Sequence, residues 1–318
     1  MFNLATKTIL QIEPTTVCGL ECPQCARYFD NQINPLMQSA ELTLEDVQQL
    51  CPVEWVQGLE KMFMCGTYGE PAAAHDCLEI FRWFRKINPN ITLGMNTSGS
   101  LRNIEWWQEL GTILNQPLDY VVFSIDGLED TNHVYRRNSN WNKIMNSVQA
   151  YITAGGHAHW DMLVFEHNKH QIDQAKELAT HMGFSWFRTK YTDRPITKNI
   201  QWLKKVPEAI ENSTKSDQII CHYETTNQAY LSAQGQWFPC CYIGGKIHYP
   251  DTSGQELRGI FNSQDLPQDF KTVHHSGAWT TVWKSWNHRP LSVCLDHCAA
   301  SREQPKVLNK WKQEIQLH

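Results

Sequence analysis

Short apolar runs alternate with longer segments of helical periodicity along the first two thirds of the chain. The short runs are rich in β-branched and aromatic residues, whereas apolar residues in the longer segments recur every three or four positions. The short runs predict six strands, at 7–13, 60–64, 91–96, 119–126, 159–165 and 185–188. The longer segments predict helices, one that begins with a cap at Thr43 and others at 72–87, 103–114, 141–154 and 171–182.

The order of these elements predicts the fold class. Strand–helix units in series indicate an α/β fold with parallel strands joined by right-handed crossovers. In such sheets the functional residues collect beyond the carboxyl ends of the strands. Several unusual segments follow predicted strands directly, namely Cys18, 66–71, 96–99, 124–127 and Asn168. We therefore expect the functional site at that edge of the sheet.

The pattern loosens at 192–216, where two prolines and a polar stretch at 212–216 interrupt it. We place a domain boundary there, between a first domain at 1–200 and a second at 217–318. The second part is rich in glycine, tryptophan and cysteine and predicts a hairpin around 233–236.

Composition narrows the class of protein. The formal net charge is −5, which gives no support for a nucleic-acid partner, although such an average would hide a local basic groove. No apolar run approaches the roughly 20 residues of a membrane span, and 1–7 does not resemble a secretory signal. We therefore expect no membrane association and a cytoplasmic location. In that reducing compartment, 11 cysteines at tight local spacings indicate metal or cluster ligation rather than disulfides.

The first cysteine group is a CxxxCxxC motif in the loop after the first predicted strand, made by Cys18, Cys22 and Cys25. Three thiolates so close together can hold one inorganic centre. A four-iron cluster normally takes four cysteines, so three leave one iron with an open position, as in catalytic metal sites. The alternatives are a zinc site with a distant fourth ligand, or plain buried cysteines.

This motif after the first of six strand–helix units resembles the radical S-adenosylmethionine (SAM) superfamily. The resemblance implies a partial (β/α)6 barrel and a [4Fe–4S] cluster on Cys18, Cys22 and Cys25. It also implies that the open iron binds SAM and that an electron from the cluster cleaves SAM to methionine and a 5′-deoxyadenosyl radical. That radical would remove a hydrogen atom from the substrate.

Further segments match the family in the expected order. The segment 66–71 resembles the "GGEP" motif, whose backbone meets the methionyl amino group, although its spacing differs. The segment 124–127 resembles the ribose-contacting strand end, and Arg137 matches an arginine that pairs with the SAM carboxylate, with Arg136 as the alternative. The implied SAM contacts are Gly66, Gly69, Glu70, Pro71, Asn96, Ser124, Asp126 and Arg137. Taken singly, these segments could also be tight turns, polar strand ends or a solvated arginine pair.

The second cysteine group consists of Cys221, Cys240, Cys294 and Cys298. The spacing C-x13-G-x4-C at 221–240 resembles the opening of the SPASM/twitch extension of one radical SAM subgroup. The chain has no cysteine between 241 and 294, so the shorter twitch form fits better. The resemblance implies a small α+β domain in which these four cysteines hold one auxiliary [4Fe–4S] cluster. Cys241 could replace a neighbour, and zinc is the alternative occupant.

The resemblance implies an enzyme, an oxidoreductase or other radical-mediated modifying enzyme, that abstracts hydrogen from its substrate. We expect a small-molecule substrate (a sugar, nucleotide or amino-acid derivative) or a peptide, and a net oxidation or rearrangement. A reductant such as flavodoxin or ferredoxin would supply the electron. The alternatives are a peptide-maturing enzyme of the RiPP type that works with a separate recognition partner, and a non-catalytic zinc or iron–sulfur scaffold. The sequence identifies no catalytic acid or base.

Overall fold

A computed structural model describes residues 3–30, 32–192, 194, 196–206, 215–261, 270–301 and 313–317. Nine strands form one sheet in the order β11-β10-β1-β4-β5-β6-β7-β8-β13, and the other four form two small two-stranded sheets. The strands are β1 Ile9–Ile12, β2 Tyr28–Phe29, β3 Gln32–Ile33, β4 Lys61–Met64, β5 Thr92–Thr97, β6 Tyr120–Ser124, β7 Ala158–Leu163, β8 Trp186–Lys190, β9 Lys215–Ile219, β10 Gln228–Leu231, β11 Trp237–Phe238, β12 Ala299–Ser301 and β13 Gln313–Gln316.

Helices connect the strands. They are α1 Leu44–Leu50, α2 Val53–Gln57, α3 Cys77–Ile87, α4 Ile104–Ile113, α5 Asn132–Tyr135, α6 Trp141–Thr153, α7 Ile172–Met182, α8 His222–Thr225, α9 Cys241–Lys246, α10 Thr252–Ile260, α11 Gly277–Ser285 and α12 Ser292–Cys298. Short 3₁₀ helices lie at Leu4–Thr6, Pro71–Ala73, Lys169–Gln171, Lys198–Ile200 and Val273–His275. No helix within these described ranges has both the length and the apolar character that a membrane span requires.

Six neighbouring strands, β1 and β4 to β8, run parallel. Helices α3, α4, α6 and α7 lie in the connections between β4 and β8, which confirms the predicted α/β class and partial (β/α)6 barrel. Local sequence signals set the helix starts. The Thr43 side chain accepts a hydrogen bond from the Asp46 N–H, and the Asp46 side chain accepts one from the Thr43 N–H, which forms a capping box at α1.

The C-terminal part extends this sheet at both edges. Strand β10 pairs in parallel with β1, and the hairpin predicted around 233–236 joins β10 to the antiparallel β11. Strand β13 pairs antiparallel with β8. The division into domains at 1–200 and 217–318 stays a prediction. Within the segment 192–216, where the sequence pattern loosens, residues 207–214 lie outside the described residues.

The two faces of the barrel strands differ. Residues on the outer face, such as Met62, Met95, Phe123 and Trp160, are fully buried in one apolar core. Most residues that alternate with them keep partial solvent exposure, as the iBiB pattern of β4 and the iBiBi pattern of β8 show. The barrel therefore encloses a partly open lumen instead of a packed interior.

Candidate active site and C-terminal cysteine pocket

The three cysteines of the CxxxCxxC motif lie together in the loop after β1. The Cys25 N–H donates to the Cys22 carbonyl at 3.0 Å, and the Leu20 N–H donates to Cys18 Sγ at 3.4 Å. The Cys22 thiol interacts electrostatically with both Cys18 and Cys25. This loop therefore brings together the three thiols that the sequence predicts to act together.

Burial raises the pKa of Cys18 to about 11, and the Glu70 carboxylate adds to this effect. Burial likewise raises the pKa of Cys22 to about 12, while the Arg136 guanidinium opposes it. Both thiols are therefore protonated at neutral pH in the protein alone. Thiolates are the form that binds iron, so cluster assembly at this loop must release protons.

The loop that follows β4 needs glycine at two positions. A Cβ on Gly66 would lie 1.9 Å from the Gly69 carbonyl oxygen, and one on Gly69 would lie 1.7 Å from the Thr15 carbonyl oxygen. The Glu70 N–H donates to the Val17 carbonyl at 2.8 Å. The predicted SAM-binding segment at 66–71 thus packs directly against the cysteine-bearing loop, backbone against backbone.

Two buried carboxylates, Glu13 and Glu70, hold the loop after β4 in place. Glu13 was not identified from the sequence. Glu13 follows β1 and accepts from the Tyr68 N–H at 2.5 Å, the Gly69 N–H at 3.1 Å and the Tyr230 hydroxyl at 2.6 Å. Burial raises its pKa. Glu70 accepts from the Ser98 N–H at 2.7 Å, which ties the loop after β4 to the loop after β5. A lone acidic residue at the end of an apolar strand is the only sequence signal for Glu13.

Asp126 is fully buried and already has internal partners. Its carboxylate pairs with Arg136 Nε at 2.6 Å and accepts from the Leu163 N–H at 2.7 Å. Arg136 Nη1 lies 3.8 Å from Cys22 Sγ. The Arg137 guanidinium lies 4.8 Å from the Trp202 ring centroid. Both arginines lie against the cysteine loop, since the Glu21 N–H donates to the Arg137 carbonyl at 3.2 Å, but Arg136 is the one whose guanidinium approaches a cysteine thiol.

Asn96 and Ser124 are half-buried on the lumen face of β5 and β6. Asn96 is in register with Val122 of β6, and Ser124 is in register with Asp161 of β7. Both polar side chains thus point into the barrel near its carboxyl edge, where the sequence predicts SAM contacts. Pro71 is buried and begins the short helix after the 66–70 loop.

The four cysteines of the second group line a single pocket. Its other lining residues are mostly apolar: Ile219, Pro239, Tyr242, Ile243, Val282, Trp283, Trp286 and Val293. The β9–β12 pair places two distant segments side by side, and the Ile220 N–H donates to the Cys298 carbonyl at 2.9 Å. Cys294 and Cys298 are four residues apart on α12, so they share one face of that helix.

Cys241 lies between this set and the barrel. Cys240 caps α9, and its Sγ accepts from the Ile243 N–H, whereas Cys241 is absent from the pocket lining. The Cys241 thiol interacts with the Tyr223 hydroxyl and electrostatically with Cys298, and it lies close enough to Cys65 to raise the pKa of that thiol. Cys241 therefore borders both the four-thiol pocket and the barrel.

The chemistry of both cysteine sets fits iron–sulfur clusters. Cysteine thiolates hold such clusters, and the three-thiol loop and the C-terminal pocket each bring several cysteines together. Four thiolates also suit zinc, which is the alternative occupant of the C-terminal pocket. In the C-terminal pocket, the buried Trp286 Nε1–H makes no hydrogen bond to a nitrogen or oxygen of the described residues and faces the Cys294 thiol. A cluster there would supply an acceptor for it.

Fold and site together define an enzyme with a partial parallel barrel and a three-thiol loop at the mouth of that barrel. The radical SAM superfamily model matches residues 12–179. The chain belongs to the radical SAM superfamily, whose members are enzymes. Comparison with curated proteins yields no match.

Solved structures share the fold at low identity. SuiB from Streptococcus suis has 12% identity and a TM-score of 0.57, over 90% of this chain and 67% of SuiB. SuiB bound to the precursor peptide SuiA has 14% identity and a TM-score of 0.55, over 91% of this chain and 76% of that one. Histidine-tagged anSMEcpe with bound AdoMet has 14% identity and a TM-score of 0.54, over 73% of this chain and 71% of that one.

Proposed function

We propose that this protein cleaves SAM reductively at a [4Fe–4S] cluster held by Cys18, Cys22 and Cys25 and abstracts a hydrogen atom from a substrate in the barrel lumen. The observation that carries this proposal is the packing of the three-thiol loop against the glycine-dependent loop at 66–71. When bound, the cluster and SAM supply the electron and the 5′-deoxyadenosyl radical. The protein supplies position, charge and exclusion of water.

The residues around the three thiols have separable tasks in this proposal. Glu13 and Glu70 fix the loop whose backbone would meet the methionyl group of SAM. Asn96 and Ser124 offer polar side chains on the lumen face for the rest of SAM. Asp126 would act through Arg136, because its carboxylate already holds that guanidinium beside Cys22. Arg136 is then a better partner than Arg137 for the SAM carboxylate, because its Nη1 lies 3.8 Å from Cys22 Sγ whereas the Arg137 guanidinium lies over the Trp202 ring.

The C-terminal pocket would hold one auxiliary [4Fe–4S] cluster on Cys221, Cys240, Cys294 and Cys298, as in a twitch-type extension. Four thiols on one apolar pocket support this assignment, since four cysteines complete the ligand set of such a cluster. A fully ligated cluster can accept or relay an electron, which suits an oxidoreductase served by a flavodoxin or ferredoxin.

The substrate in this proposal is a peptide. The relative SuiB has been solved with the precursor peptide SuiA bound, and its fold covers 91% of this chain. A small polar molecule, such as a sugar, nucleotide or amino-acid derivative, is the second candidate, because the partly exposed lumen wall carries charged side chains.

The deciding experiment measures 5′-deoxyadenosine after SAM and dithionite are added to anaerobically reconstituted protein. We expect product from the intact protein and none above background from Cys22→Ala. Cys294→Ala/Cys298→Ala should bind about four fewer irons and still cleave SAM. Cys51→Ala is the matched control, because Cys51 is a fully buried cysteine of the apolar core outside both sets. Properly assembled clusters that yield no 5′-deoxyadenosine would overturn the proposal.

A further inference from the structure

Helix α9 lies between the C-terminal cysteine pocket and the loop after β4. It begins directly after Cys240, a lining residue of that pocket whose Sγ accepts from the Ile243 N–H at 3.5 Å. Its other end packs against the loop at 66–71. The helix has six residues, and helices shorter than about 12 residues are marginal by themselves in water. The position of α9 is therefore set by what its two ends contact.

Two glycines let the end of α9 approach this loop and the adjoining strand β10. A Cβ on Gly245 would lie 2.3 Å from Thr67 Cγ2, and a Cβ on Gly244 would lie 2.4 Å from the Tyr230 ring. Approaches this close are open to glycine because it has no Cβ. The backbone of α9 therefore rests directly on the side chains of the loop and of β10.

Two tyrosine hydroxyls connect α9 and β10 to the loop at 66–71. The buried Tyr68 hydroxyl donates to the Gly245 carbonyl at the end of α9. The Tyr230 hydroxyl of β10 donates to the Glu13 carboxylate at 2.6 Å. The same carboxylate accepts from the Tyr68 N–H at 2.5 Å and from the Gly69 N–H at 3.1 Å. The backbone and the hydroxyl of Tyr68 are therefore both held by partners outside its own loop.

The segment that follows α9 also reaches the loop of the CxxxCxxC motif. The Asn34 side-chain amide donates to the His248 carbonyl at 2.8 Å and to the Ala26 carbonyl at 3.2 Å. Ala26 directly follows Cys25, the last cysteine of the motif. The chain from α9 to His248 is therefore joined to both loops on which the proposed SAM site depends.

The cysteines of the C-terminal pocket come from distant parts of the chain. Cys221 precedes α8, Cys240 precedes α9, and Cys294 and Cys298 lie on α12. Ligation of all four thiols by one centre would hold these three segments in a single arrangement. A ligand shifts a protein toward the arrangement that it binds best. Occupancy of the pocket should therefore restrict where α9 lies against the loop at 66–71.

We propose that α9 couples the C-terminal cysteine pocket to SAM binding, and that Tyr68 is the positioning residue of this coupling. With the four thiols ligated, α9 holds the Tyr68 hydroxyl, and the loop at 66–71 keeps the backbone arrangement that binds SAM. The inference rests on the proposed function, which assigns SAM to this loop and a cluster to the pocket. It gives the pocket a second task besides electron transfer, namely to raise the affinity of the enzyme for SAM.

The test is calorimetric titration of SAM into anaerobically reconstituted protein. Tyr68→Phe keeps the ring and removes the hydroxyl that contacts α9, and it should raise the SAM dissociation constant about fivefold. Cys294→Ala/Cys298→Ala should raise it by at least the same factor. Tyr151→Phe should leave it unchanged and is the matched control, because its buried hydroxyl also donates to a backbone carbonyl, that of Leu114. Iron content and circular dichroism check that each variant is assembled and folded.

A double-mutant cycle separates coupling from a purely local effect of the Tyr68 hydroxyl. When Tyr68→Phe is combined with Cys294→Ala/Cys298→Ala, the loss of affinity should be clearly smaller than the product of the two separate losses, because both act through α9. At saturating SAM, Tyr68→Phe should form 5′-deoxyadenosine as fast as the intact protein, since the hydroxyl acts on affinity.

Three results would overturn the inference: separate losses that multiply, unchanged SAM affinity in Tyr68→Phe or in Cys294→Ala/Cys298→Ala, and slower cleavage by Tyr68→Phe at saturating SAM. Each of them leaves the proposed function standing if the intact protein still cleaves SAM. An intact, properly assembled protein that binds no SAM would instead overturn the proposed function together with the inference.

Discussion

The two cysteine sites of this chain share apolar surroundings but differ in the charged groups around them. Cys18, Cys22 and Cys25 contact an apolar cluster that includes Tyr135 and Phe165. The three-thiol loop lies at the mouth of a charged lumen, and Arg136 approaches Cys22 from a buried ion pair with Asp126. The four-thiol pocket is walled by tryptophan, valine and isoleucine side chains. The difference lies in charge. The three-thiol loop has the Arg136 guanidinium and the Glu70 carboxylate close to its thiols, whereas none of the residues that line the four-thiol pocket is charged.

The largest effect that follows from this comparison concerns SAM itself. In Cys294→Ala/Cys298→Ala, which retains the three-thiol site, added SAM should change the electron paramagnetic resonance signal of the reduced cluster. Three thiolates leave one iron with a position for SAM, whereas four thiolates fill every position.

The converse variant is Cys18→Ala/Cys22→Ala, which retains the four-thiol pocket. Its reduced signal should be the same with and without SAM. A SAM-dependent signal from this variant would mean that SAM binds at the four-thiol pocket and not at the three-thiol loop.

A second prediction concerns the ion pair between Asp126 and Arg136 beside the three-thiol loop. Asp126→Asn leaves the Arg136 guanidinium beside Cys22 without its buried carboxylate, and breaking such a pair costs about 3 kcal/mol of unfolding free energy. Glu79→Gln is the control, because its pair with Arg82 is exposed and should contribute less than about 1 kcal/mol. Urea unfolding under anaerobic conditions measures both. Similar losses in the two variants would show that the Asp126–Arg136 pair is not structurally important.

The sequence predicted the barrel closely because each of its elements carries a local signal. Alternation placed β4 to β8 within two residues of their observed bounds, as at 60–64 for Lys61–Met64. Helical periodicity placed α6 within one residue, at 141–154 for Trp141–Thr153. The threonine cap at Thr43 is confirmed in detail. The proximity of Cys18, Cys22 and Cys25 followed from the tight spacing of their motif, whereas the second cysteine set was expected only from the resemblance to the twitch extension.

The contacts that the sequence could not predict are long-range ones. Nothing local indicates that β10 pairs with β1, because residues more than 200 positions apart share no periodic pattern. The bond from Tyr230 to Glu13 has the same origin. The choice between Arg136 and Arg137 depends on which side chain the short helix α5 turns inward. The charge of the lumen depends on which face of each strand closes the barrel.

The smallest expected effect concerns the four-thiol pocket. Burial raises the pKa of Cys294 to about 11, and the Trp286 Nε1–H, which faces that thiol, opposes this effect. In the proposed auxiliary site, a hydrogen bond from this indole to the cluster or its ligand would favour the reduced, more negative state. Trp286→Phe keeps the apolar wall and removes the donor. It should lower the reduction potential of the auxiliary cluster by about 20 to 60 mV, the equivalent of one net hydrogen bond. Redox titration followed by electron paramagnetic resonance measures the shift, and the potential of the three-thiol cluster in the same samples should not move. An unchanged auxiliary potential would mean that this indole serves only to pack the pocket.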